Sequence, residues 1–263
     1  MNKHLPFPLI FSLLLADCDL LLLPFCFYNQ FMQIAFQHDW RVTTARAREV
    51  QLELAAHISR VGVVNSPKLV AGVDVSVNRF ARTGAAAVVV LRYPEMDMVE
   101  TGLVAAQVEF PYVPGLLTFR EAPLILAAFE KLNITPDLVL VDGQGIAHPR
   151  RIGLAAHIGL CLGLPTIGCA KSRLIGEYQE PANEAGSFSE LRDNGEVIGA
   201  VVRTRSGVKP VFLSIGHMID LPSAVKWTLA CCRGYRLPEP TRRAHMAAGI
   251  QIKNQNLKIK TTF

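Results

Sequence analysis

Residues 138–151 read LVLVDGQGIAHPRR, and this segment constrains the chain more than any other. A run of leucine and valine stops on Asp142, and glycines, a histidine and two arginines follow at once. That pattern is a buried strand that ends on a carboxylate and opens into a flexible basic loop. It sets one negative charge at a sheet edge beside donors suited to phosphate, as metal-dependent phosphodiester sites commonly do. A second acidic strand is needed to hold the metal. The segment LVAGVDVSV at 69–77 supplies it, ending in the same way on Asp74.

The rest of the chain says how those strands are arranged. Apolar residues at helical spacing over 42–59 predict an amphipathic helix. Three β-rich runs at 69–77, 85–92 and 98–108 predict an antiparallel meander. A proline-braced loop, FPYVPG, occupies 110–115 and a helix is expected over 117–132. A strand at 138–142, a helix at 152–162 and a short strand at 165–169 alternate, which implies parallel pairing. A strand pair at 197–205 and 210–214 and a helix at 221–232 follow. Beyond Arg236 the chain turns to prolines and charges, and 251–263 reads as a polar basic tail that frays. The fold class is therefore α/β, with a mixed central sheet of three antiparallel strands followed by parallel strands, flanked by helices.

No internal repeat and no domain-splitting linker is apparent in the 263 residues. The net charge of +5 fits a polyanionic partner without requiring one. The six cysteines have no CxxC spacing, so a zinc site is not expected and a reducing, cytoplasmic location is. Cys161 and Cys169 read as buried thiols. From 5 to 36 the only charges are Asp17 and Asp19, and prolines 6, 8 and 24 interrupt the stretch. Both apolar pieces fall short of the roughly 20 residues that a membrane span needs. The preferred reading puts the true start at Met32; a signal-like segment and a genuine extension are the others. Expected units are thus an extension at 1–31, a catalytic domain at 32–250 and the tail at 251–263.

Asp74 and Asp142 are a sufficient protein contribution to a magnesium site, since this ion takes hard oxygens and keeps several waters. Glu121 opens the helix after the proline loop and is in reach of the same site. His245, in RLPEPTRRAHMAA, is suited to orient a water or take a proton. Lys171, in GCAKSRL, offers a point charge for a phosphate. Each has a plainer role open to it. Either aspartate can be a turn former, Glu121 a dipole-favoured helix residue, Lys171 a solvated lysine and His148 a loop cap. His217 is expected to stabilise a turn with Asp220, and His57 and His157 read as structural helix residues.

Five strings add a resemblance. VAGVDVSV, FPYVPGLLTFREAPLIL, LVDGQGIAHPRRIGLAAHIG, PTIGCAKSRLIG and RLPEPTRRAH, in this order and spacing, resemble the endonuclease V family of deoxyinosine-specific repair nucleases. The resemblance runs from about Trp40 to about Ala248. It implies a ribonuclease H-like fold, with Asp74 and Asp142 as ligands of magnesium, for which manganese can substitute, and Glu121 completing the acidic cluster. It places His245 at a family position where some members carry aspartate, and Lys171 on the phosphate at the break. By the same resemblance Tyr112 is a wedge that enters the duplex, and Gly115, Leu117, Gly143 and Leu174 line a pocket for the extruded base, with His148 close by.

Flipping a base from its stack costs a few kcal/mol, and an aromatic ring held between Pro111 and Pro114 can fill the gap with little entropy loss. The resemblance implies a monomer acting on inosine-containing DNA, or RNA, without a membrane. It also implies hydrolysis of the second phosphodiester 3′ to the lesion, leaving 3′-hydroxyl and 5′-phosphate. The rivals are a non-catalytic inosine-binding module and another ribonuclease H-like nuclease such as a junction resolvase.

Overall fold

The computed structural model describes residues 32–78 and 82–261, with side chains as far as residue 255. The three readings of 1–31, with Cys18 and Cys26, lie outside the described residues. The architecture is mixed α/β, built on one sheet of eight strands in the order β3-β2-β1-β4-β5-β8-β7-β6. The strands are β1 (Leu69–Asn78), β2 (Thr83–Arg92), β3 (Asp97–Gln107), β4 (Leu138–Val141), β5 (Thr166–Ala170), β6 (Phe188–Asp193), β7 (Glu196–Val202) and β8 (Val211–His217). The helices are α1 (Thr44–Ala55), α2 (Leu117–Phe129), α3 (Leu154–Leu162), α4 (Leu221–Ala230) and α5 (Glu239–Thr261).

β1, β2 and β3 form the expected antiparallel meander, and β4 lies parallel between β1 and β5. Alternation along β4 explains its unbroken apolar run. Val139 and Val141 pack with α2 and α3 residues such as Ile125, Phe129 and Ile158 on one face. Leu138 and Leu140 pack with Ala224 and Trp227 of α4 and Ala244 of α5 on the other. A strand covered on both faces has no polar side to show.

Several expectations change. β1 does not end on Asp74; it continues to Asn78, because its antiparallel partner β2 carries the ladder five residues further than the short β4 does. Glu121 lies in the second turn of α2, not at its opening. β6 was not expected from the sequence; it is an edge strand whose side chains are mostly exposed, so its apolar alternation is weak. His217 does not pair with Asp220: its Nδ1 accepts from Ser59 N at 3.1 Å, while Asp220 caps α4 through Ser223 N at 2.7 Å. His57 follows α1 and is exposed, whereas His157 is buried within α3.

The largest change is at the C-terminal end. The stretch read as a frayed tail continues α5, which runs unbroken from Glu239 to Thr261 across β1, β2 and β3. Arg242 and Arg243 both donate to the first-turn carboxylate of Glu239 at 2.7 Å, and Ala244, Ala248 and Ile252 form its buried stripe. The helix backbone comes down on Gly72 of β1, where an added Cβ would stand 2.0 Å from the carbonyl carbon and oxygen of Pro240. Only glycine permits that approach.

Candidate active site

The register fixes the acidic centre. Val73 of β1 is level with Val141 of β4, so the next residues, Asp74 and Asp142, stand side by side although 68 positions separate them. Asp142 N donates to Val73 O at 3.0 Å, which holds its backbone against β1 as the strand gives way to the loop. From α5, His245 brings Nδ1 to 2.9 Å from Asp74 Oδ2. One donor atom from each of Asp74, Asp142 and His245 lies within 4.8 Å of the others. Asp142 Oδ2 is buried and makes no hydrogen bond, although the Lys171 ammonium lies against it as an ion pair.

This grouping strains its own charge. Burial, and then the adjacent Asp142, push the Asp74 carboxyl up to about 6, with the His245 hydrogen bond pulling the other way. Glu121 lies outside the set of three but senses it. Burial, then Asp74, raise its carboxyl to about 8, against the neighbouring Arg120.

Beside this centre lies a cavity of about 380 Å³, within the range of about 300–1,000 Å³ usual for small-molecule sites. Tyr112, Gly115 and Leu117 line it on one side, and Gly143, His148 and Leu174 on others. Asp142 and Lys171 line it as well, so the cavity and the acidic centre share a wall. Tyr112 is 66% exposed. Leu116, the residue before α2, gives the helix no side-chain cap, so the N-terminal donors of that helix start at a wall of the cavity formed by Leu117 and Thr118. Gly115 turns the loop with φ +77°, and its carbonyl accepts from His148 Nε2 at 3.0 Å. Burial lowers His148 to about 4, so the ring is neutral near pH 7. Because Arg150 N donates to its Nδ1, Nε2 carries the proton.

Asp74, Asp142 and His245 thus fall at one centre and Lys171, Tyr112, Gly115, Leu117, Gly143, His148 and Leu174 along one cavity, whereas Glu121 belongs to neither and is linked to the centre through its charge. Sequence reasoning missed Gln51 and read Arg150 as one of two donors for phosphate, whereas its guanidinium is taken by Gln51 and the Gly115 carbonyl behind the cavity wall. A polar residue at a helical position is read as solvated, and only the fold shows Gln51 fully buried.

Comparison with known proteins gives the family. The family model described as Endonuclease V matches residues 52–246. Endonuclease V of Dehalococcoides mccartyi is 54% identical over 215 residues, spanning 82% of this chain and 96% of that protein. Among solved structures, endonuclease V of Streptomyces avermitilis superposes with a TM-score of 0.79 at 43% identity, covering 82% of this chain and 96% of that one. Endonuclease V of Ciona intestinalis, solved in complex with a 24mer DNA containing an inosine followed by a ribo-adenosine, gives a TM-score of 0.70 at 30% identity, covering 80% and 98%. With a match this long and relatives of this identity, the chain belongs to the endonuclease V family.

Proposed function

We propose that this chain is a magnesium-dependent endonuclease that hydrolyses the second phosphodiester bond 3′ to deoxyinosine, leaving 3′-hydroxyl and 5′-phosphate ends. The observation that carries this reading is the shared wall. An acidic centre that could hold a metal ion adjoins a cavity lined in part by an exposed tyrosine. The catalytic unit runs from Met32 through α5, whose Ile252 is buried, and acts as a monomer in the cytoplasm. Among the described residues no helix is long and apolar enough to cross a membrane.

The donor set fits a hard divalent cation. Two carboxylates converge with an imidazole beside them, and the buried Oδ2 of Asp142 has only the Lys171 ammonium against it. Asp74 and Asp142 would hold magnesium, with manganese able to substitute. When bound it supplies positive charge to the phosphate and the departing oxygen. The chain's own residues do the rest. Lys171, which lies against Asp142, is placed to turn its ammonium onto the scissile phosphate. Glu121 helps to position the attacking water and His245 takes its proton, the phosphorus–O3′ bond breaks, and the departing 3′ oxygen takes a proton from solvent water. Tyr112 enters the duplex as the base departs, and the walls at Gly115, Leu117, Gly143, His148 and Leu174 receive the base. Backbone donors set for hypoxanthine leave guanine's exocyclic amine without room or partner.

A nicking assay tests this. The protein should cut a duplex bearing one inosine in the presence of magnesium, stop on addition of EDTA, and leave a four-way junction intact. Folded protein that binds the lesion but never cuts would favour the binding module; preference for the junction would favour a resolvase. Matched DNA and RNA oligonucleotides, each with one inosine, separate the two substrates.

The raised carboxyls make a second prediction. In cation-free protein both groups hold protons that the unfolded chain, with values near 3.8 and 4.5, releases. Their contribution to stability is therefore full below about pH 4 and is lost as pH rises through about 6 and about 8. Magnesium relieves the repulsion of the ionised set, so it should raise Tm more at about pH 8 than at about pH 5. Equal increments at both pH values in a thermal melt would count against these carboxylates as ligands.

A further inference from the structure

We infer that Gln51 and Arg150 are positioning residues that hold the Gly115 corner of the base pocket and thereby set its selectivity. This inference rests on the nuclease reading above. Gln51, on α1, is fully buried. Its amide nitrogen donates to Ile152 O at 3.3 Å, and its oxygen accepts from Arg150 Nε at 2.6 Å. Arg150 reaches on with Nη2 to Gly115 O at 2.7 Å. The chain of contacts joins three separate pieces, namely α1, the loop after β4 and the proline-braced loop that carries Tyr112.

The Gly115 carbonyl accepts from both Arg150 Nη2 and His148 Nε2, so both of its lone pairs are engaged. The next peptide N–H, that of Leu116, donates to Val113 O at 2.9 Å. The peptide between Gly115 and Leu116 is thereby satisfied within the protein and has one orientation. Backbone donors on either side of it acquire fixed directions into the cavity. A carbonyl or amide displaced by a fraction of an ångström would read a base poorly, because discrimination depends on leaving the wrong base unpaired.

Neither Gln51 nor Arg150 lines the cavity, so their influence passes through Gly115. Among the described residues Arg150 makes no ion pair with a carboxylate, and its charged neighbour is Arg48, which together with burial lowers its basicity. A guanidinium kept in place by one amide oxygen and one carbonyl, beside another cation, has been placed for geometry more than for charge neutralisation.

The test uses Gln51→Met, Arg150→Met and the double variant. The readout is the ratio of nicking efficiency on an inosine duplex to that on the same duplex with guanine at that position. A variant that merely folds less well loses active protein equally on both substrates, so the ratio is blind to stability. For a variant too slow to cut, competitive binding of the two duplexes in EDTA gives the same ratio. Each single variant should lower it by roughly tenfold, a small part of what misplacement of a reading group can cost. The double variant should lose no more than the worse single one. A ratio within about threefold of the parent in either single variant, or losses that multiply in the double variant, would overturn the inference. A parent that fails to cut inosine duplexes removes the nuclease reading, and the bridge with it. A selective parent with equally selective variants removes the bridge alone.

Discussion

Asp74→Ala is expected to lower the nicking rate on an inosine duplex by ~10³-fold or more, while affinity for that duplex changes by no more than a few fold. On the proposed mechanism several kcal/mol of charge stabilisation at the phosphate would come from a divalent cation, and each 1.36 kcal/mol is a factor of ten in rate. Asp74 supplies one of the two carboxylates in the set and also anchors His245. Its removal takes away a ligand and releases the imidazole together. Binding survives because Asp74 is buried and does not line the base cavity. Loss of a negative charge near the phosphodiester works against any weakening. Single-turnover cleavage and fluorescence anisotropy on one labelled duplex measure the two quantities. Full activity in the variant would remove Asp74 from the mechanism.

Gly72→Ala should be costly although it adds one methyl group. The new Cβ would stand 2.0 Å from the backbone of Pro240, which has no flexible side chain to swing aside. Either α5 shifts or β1 bends, at a cost of about 3 kcal/mol for overpacking. His245 lies one to two turns along the same helix and moves with it, so nicking falls as well. Gly249→Ala, on the same helix with nothing within 4 Å of its added Cβ, is the control. It should be neutral or stabilise by about 0.5–1 kcal/mol through helix preference. Urea denaturation of both variants gives the comparison, and equal midpoints would refute the close approach at Gly72.

The centre was legible because its strands are covered on both faces. Leu138 to Val141 and Val70 to Val73 are apolar without a break, so the aspartates following them stand out. Their pairing was legible only as a condition, since register arises from contacts 68 positions apart. α5 was illegible for the opposite reason. Its inner stripe is alanine, alanine and a single isoleucine, and small residues give almost no hydrophobic periodicity. β6 was hidden by the exposure of its edge position. Gln51 gave no signal because its value lies in two distant partners, Ile152 and Arg150.

The order in which the three donors are made has its own consequence. A chain leaving the ribosome presents Asp74 and Asp142 early, and His245 comes only with α5, about a hundred residues after Asp142. Until α5 settles over β1, no imidazole stands beside Asp74. The unfinished polypeptide therefore lacks a complete set of donors, and on the proposed mechanism full cutting activity waits for α5 to be made.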